Sequence, residues 1–81
     1  MEYRISTISI IVEDRESARA INELLHQYAD YIIGRMGLPC REKGLSVICV
    51  ILEAPADVTS ALSGRLGQLH GVSSKTMTAK K

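Results

Sequence analysis

Phenylalanine and tryptophan are absent from this 81-residue chain, and tyrosine occurs only three times. A core without large rings must come from Ile, Val, Leu, Ala and Met, and a chain of this length buries only roughly 60 to 65% of the surface it exposes unfolded. Such a core is marginal alone and gains from oligomerisation. Cysteine is scarce: Cys40 and Cys49 lack CxxC spacing, and a small secreted scaffold would carry more. Both read as reduced thiols. Long apolar runs are missing, none approaching the roughly 18 residues of a membrane span. Met1-Glu2-Tyr3-Arg4 leads into an alternating segment with no small-residue cleavage site. A cytoplasmic protein without membrane contact is expected. Net charge is only +1, from ten basic and nine acidic side chains, so no long-range field is there to hold a polyanion. Direct nucleic-acid binding is disfavoured.

What is present is one strand-helix-strand unit written twice. Ile5 to Val12 alternates as a strand, an amphipathic stretch follows Asp14, and Tyr31 to Met36 forms the second strand. Leu45 to Leu52 then repeats the first strand, an apolar-periodic stretch follows Pro55, and Val72 to Met77 closes the pattern. Two halves of about 35 residues predict an α+β, ferredoxin-like βαββαβ two-layer sandwich. Its four-stranded antiparallel sheet carries two helices on one face, with the first and third strands central. The whole chain, 1–81, reads as one domain whose tail, residues 79–81, frays.

Asp14 is a good N-cap and Glu16 suits the first turn of helix one, whose buried stripe is Ala18, Ile21, Leu24, Leu25 and Tyr28. Pro55 fits the first turn of helix two, with the stripe Val58, Ala61, Leu62, Leu66 and Leu69. Gly64 and Gly67 interrupt that helix and Gly71 stops it. Leu38 to Gly44 reads as the connection to the third strand, since Pro39 cannot continue a central strand. In the third strand Leu45, Val47, Cys49 and Ile51 share one side while Ile48, Val50 and Leu52 share the other. Both sides are apolar although helices cover only one. A second copy of the chain is the economical cover for the other, as a dimer or tetramer.

Residue types that carry chemistry are thinly spread. His26 and His70 fall at opposite ends of the predicted domain, so they do not share a metal within one chain. Glu13, Asp14, Glu16, Glu53 and Asp57 read as helix-start charges rather than paired acids. Cys40 has the cations Arg41 and Lys43 beside it but no base. Ile32-Ile33-Gly34-Arg35-Met36-Gly37 resembles the Ile-Gly-x-x-Gly loop of KH nucleic-acid-binding domains over six residues. Leu38-Pro39 follows at once, so the helix that such a loop requires cannot start. No catalytic residue, metal or cofactor is expected, and the chain reads as a non-enzyme.

Tyr31-Ile32-Ile33-Gly34-Arg35-Met36-Gly37-Leu38-Pro39, followed by Ala61-Leu62-Ser63-Gly64-Arg65-Leu66-Gly67-Gln68-Leu69 and Gly71-Val72, resembles the iron-only hydrogenase system regulators. The likeness runs from about Ile5 to Lys75 and rests on two glycine-arginine motifs in order. It implies a stand-alone ferredoxin-like module akin to ACT domains and to the C-terminal domain of the nickel-responsive regulator. The implied role is regulation of hydrogenase synthesis or maturation. Nickel sensing does not carry over, because Tyr31 to Met36 contains no histidine or cysteine. What the ACT likeness implies is a small effector at a subunit interface. Candidate contacts are Gly34, Arg35, Met36 and Gly37 with Gly64, Arg65 and Gly67, the arginines serving as carboxylate or anion ligands. The alternatives are a pure protein–protein interaction module serving a hydrogenase-system partner, or KH-like nucleic-acid binding.

Overall fold

Alternation along the two most apolar segments sets the architecture of the computed structural model, which describes residues 2–80. Strand β1 (Tyr3–Val12) turns Ile8, Ile10 and Val12 inward, and β3 (Leu45–Pro55) turns Val50, Leu52 and Ala54 the same way. The two pair antiparallel from Tyr3 opposite Pro55 to Val12 opposite Ser46. β2 (Ile32–Cys40) joins the outer edge of β3, and β4 (Val72–Thr78) joins β1, giving the order β2-β3-β1-β4. Helices α1 (Ala18–Gln27) and α2 (Ala56–Gly67) complete the expected α+β, ferredoxin-like arrangement. Ile21 and Leu25 from α1 and Leu62 and Leu66 from α2 meet the sheet residues in a core that is aliphatic throughout.

Several element boundaries differ from the sequence expectation. β2 begins at Ile32 and runs past Met36 and through Pro39 to Cys40. Proline is tolerated there because β2 is an edge strand, whose outward N–H has no partner to lose. The hairpin turn is therefore only Arg41–Lys43, closed by Gly44 at φ 69°. β3 extends to Pro55, so Glu53 lies within a strand opposite Ile5 rather than at a helix start. Pro55 itself is the N-cap of α2 rather than a residue of its first turn.

Asp14 caps as expected, its carboxylate accepting from the Glu16 N–H at 2.9 Å, but the capped turn is a 3₁₀ segment, Arg15–Ser17, that leads into α1. The predicted stripes hold at their centres. Ala18 and Ala61 are exposed, and Thr59 takes a buried place on α2. The chain end is tied rather than frayed as far as Ala79, whose N–H donates to the Ile5 carbonyl at 2.9 Å. The Ser6 and Thr78 hydroxyls bond beside it at 2.9 Å. Lys81 lies outside the described residues. Among those residues no helix is long and apolar enough to cross a membrane.

Candidate functional site

The register decides what each face of the sheet offers. Residues opposite one another in an antiparallel ladder point to the same side, so Thr7, Ile51 and Gly34 form one outward row. Ser9, Cys49 and Met36 form the next, and Ile11, Val47 and Leu38 the third. Exposed on this helix-free face are Ile5, Ile11, Met36, Leu38, Val47, Ile51 and Met77. Met36, Leu38 and Met77 are 70%, 63% and 74% accessible, which places the most open apolar groups on the two edge strands. Lys75 and Glu53 are the charged groups that the register puts on this side. Both faces of β3 are thus apolar and only one is covered within the protomer.

The seven expected contact residues divide between two flanks. Gly34, Arg35, Met36 and Gly37 all lie in β2. Gly34 follows a bulge at Ile33, which breaks the register between Ile32 and Gly34. Met36 points outward, opposite Cys49, while Arg35 faces the helix layer and donates from Nη2 to Asn22 Oδ1 of α1 at 3.2 Å. Because this segment is edge strand and not a loop between helices, the KH-like grip is not formed. Gly64, Arg65 and Gly67 lie on α2, which packs chiefly over β4. β3 and β1 separate β2 from β4. Within one protomer the two glycine-arginine motifs therefore do not meet. Their arginines share only a neighbour: Arg65 Nη1 donates to Gln27 Oε1 of α1 at 3.4 Å.

One junction escaped the sequence reading. The turn before β4 docks on the β1–α1 turn, where the Glu13 N–H donates to the Gly71 carbonyl at 2.7 Å and Ser17 Oγ donates to the His70 carbonyl at 2.6 Å. His70 Nδ1 lies 2.7 Å from Asp14 Oδ2. The Asp14 carboxyl is held below its ordinary value, first by the Glu16 N–H and then by His70. A histidine after a helix and an acid before another gave the two ends of this contact, but 56 positions separate them. His26, in the last turn of α1, is at the other end of that helix from the Asp14 cap. Among the described residues no three or more His, Cys, Asp or Glu side chains gather as a metal site.

A family described as "TM1266-like: Iron-only hydrogenase system regulator, putative" matches residues 4–76. The chain belongs to this TM1266-like family. The solved structure of "uncharacterized protein TM1266 from Thermotoga maritima" is similar over 98% of this chain and 100% of that one, with 45% identity and a TM-score of 0.93. The resemblance carried by Tyr31 to Pro39 and Ala61 to Val72 is thereby shown. A formyltetrahydrofolate deformylase from Pseudomonas putida KT2440 superposes with a TM-score of 0.70 at 13% identity, over 95% of this chain and 29% of the deformylase. That likeness is one of fold alone. No curated protein matches the chain in sequence.

Proposed function

We propose that this chain is a non-catalytic regulatory module of the iron-only hydrogenase system, working as a homo-oligomer joined through the outer face of its sheet. Membership of the TM1266-like family supports the hydrogenase link. The observation that carries the rest is the uncovered row of Met36, Leu38, Val47 and Ile51 beside Ile5, Ile11 and Met77. Four strands spaced about 4.8 Å apart, each rising about 3.4 Å per residue, project roughly 600 Å². Side-chain relief enlarges that figure toward the roughly 800 Å² per partner of a standard interface. A largely apolar face of this size stands at the upper end of what monomers leave in water, about 300 to 600 Å². An isologous contact is the simplest cover, and a dimer so formed can pair again into a tetramer.

Regulation then works by shifting the assembly or its hold on a hydrogenase-system protein, which requires an effector with different affinities for the two states. Gly34, Arg35, Met36 and Gly37 border the proposed interface. Gly64, Arg65 and Gly67, on α2 behind the sheet, stand away from it. Native mass spectrometry of the untagged protein at micromolar concentration tests this reading. A defined oligomer retaining a small molecule is expected, and a monomer overturns it. An oligomer that binds one stoichiometric partner protein and no small molecule overturns the effector half and leaves an interaction module.

A further inference from the structure

Where β1 hands over to α1, the helix layer stands off from the sheet. Ser46 of β3 is opposite Val12 on one side and Pro39 on the other, and this row faces the helices. Arg15, in the turn before α1, and Arg41 and Gly44, in the β2–β3 turn, close over it. They form a cleft of about 530 Å³ whose lining also includes Leu45. A second hollow of about 300 Å³ shares Arg15 and Ser46 and continues beneath α1 between Val12, Ala18, Ile21 and Ile48. The slot is open because small side chains border it. Ala18 stands at the start of the helix and Ser46 is in the floor.

The charges of the cleft are uncompensated. Arg4, Arg35 and Arg65 each donate to an acceptor in the protein. Among the described residues, the guanidinium groups of Arg15 and Arg41 have neither a hydrogen-bond acceptor nor a carboxylate within ion-pair distance. Two like charges bordering one cavity repel, and an anion between them turns both interactions favourable. The Ser46 hydroxyl adds a neutral donor. Beyond Arg15 and Ser46 the adjoining slot is walled mainly by the methyl and methylene groups of Val12, Ala18, Ile21 and Ile48, with Asn22 at its side, a lining that suits an apolar body.

We propose that this cleft binds a small organic anion, its carboxylate or phosphate head held by Arg15, Arg41 and Ser46 and its apolar body lying between Val12, Ala18 and Ile48. The site lies within one protomer, so it stands or falls separately from the interface on the opposite face and from the link to hydrogenase.

Backbone amide shifts of the ¹⁵N-labelled chain, titrated with hexanoate and with hexyl phosphate, test the proposal. Acetate and inorganic phosphate serve as probes with a head and no body, and hexanol as the body with no head. Saturable shifts at Arg15, Gly44, Leu45 and Ser46 are expected from at least one hexyl anion. Binding should be about tenfold or more tighter than with the matching head alone or with hexanol. Whichever of the two binds tighter names the head. Arg15→Gln and Arg41→Gln, both at exposed positions, should each weaken binding about tenfold or more. Ala18→Leu should weaken the hexyl anions while sparing the heads. Shifts centred on Met36, Val47 and Met77, affinities unchanged in the arginine variants, or no saturable shift with either hexyl anion would each overturn the proposal.

Discussion

Gly71→Ala should be among the most damaging single-methyl changes available to this protein. Gly71 has φ 70°, and a Cβ there would lie 2.6 Å from Asp14 Cβ and 2.9 Å from Asp14 N. The left-handed conformation alone costs an L-residue roughly 1 to 2 kcal/mol. Carbon atoms settle at about 3.5 to 4.0 Å, so the new methyl group is about 1 Å too close to backbone that cannot swing aside. Relief requires the turn before β4 to lift off the β1–α1 turn. That movement stretches the Glu13 N–H bond to the Gly71 carbonyl and the Ser17 bond to the His70 carbonyl, now 2.7 and 2.6 Å. Each is worth about 1 kcal/mol net. The sum is about 3 to 4 kcal/mol, against a total of roughly 4 to 12 kcal/mol for a domain of this length.

Gly64→Ala is the internal control, because a Cβ at Gly64 meets nothing within 4 Å and the residue is inside α2. It should stabilise by about 0.8 to 1 kcal/mol. Urea midpoints for wild type and both variants, measured at one fixed protein concentration so that the proposed assembly would weigh equally on all three, decide the matter. A loss below about 1 kcal/mol for Gly71→Ala would mean that the conformational cost and the close approach are both absent, and the docking of the two turns would have to be abandoned.

Thr59→Val should raise stability by about 1 kcal/mol in the same urea assay, since the buried Thr59 Oγ1 has no hydrogen-bond partner and valine keeps the shape without the stranded hydroxyl; a clear loss would show that the hydroxyl is satisfied after all. Ile51→Lys, on a central strand of the outer face and 39% accessible, should leave the fold intact and reduce the oligomer to monomer by light scattering. An unchanged mass with retained circular dichroism would move the interface elsewhere. For Asp14, the folded protein binds the proton more weakly than the unfolded chain. Its stabilisation is therefore full above the ordinary value of 3.8 and lost as pH falls through the lower folded value. Asp14→Asn should melt below wild type at neutral pH with a gap that closes under pH 3.8, and a gap constant throughout an acid series would rule out the carboxylate charge as its cause.

How much of this was legible from the chain depends on the range of each interaction. Period-two alternation in Ile5 to Val12 and Leu45 to Leu52 sufficed for the central strands, and the split unit written twice sufficed for the sheet order. Strand lengths depended on partners. Pro55 joins β3 because Tyr3 lies opposite it, and Pro39 stays in β2 because nothing pairs on its outer side. Gly71 read as the stop of helix two, but α2 already ends at Gly67 with Gln68 as its C-cap; what requires glycine at 71 is its φ of 70° and the close approach of Asp14, from a turn that only folding brings near. The two glycine-arginine motifs were legible as motifs, whereas their placement on opposite flanks follows from topology. Arg15 and Arg41 showed no pattern at all, since a two-residue cation pair gains meaning only when two turns converge over Ser46.

Strand β3 is where the interface and the anion cleft come within one residue of each other. Val47 and Ile51 face outward toward the proposed partner copy, while Ser46 and Ile48 face inward toward the cleft. Side chains alternating on one pleated strand cannot shift independently, because a change of twist that opens the slot between Ile48 and α1 also rotates Val47. An anion in the cleft and a subunit on the outer face thus act on the same backbone. Coupling follows wherever the twist preferred by the occupied cleft differs from that preferred by the paired sheet, and by linkage each event then changes the affinity of the other by the same factor. Ala18 and Ser46 leave room beneath α1 that larger side chains would fill, at some cost in core packing. A sheet stabilised by the proposed neighbouring copy would tolerate that loss, which would give the marginal aliphatic core and the open cleft a common physical basis.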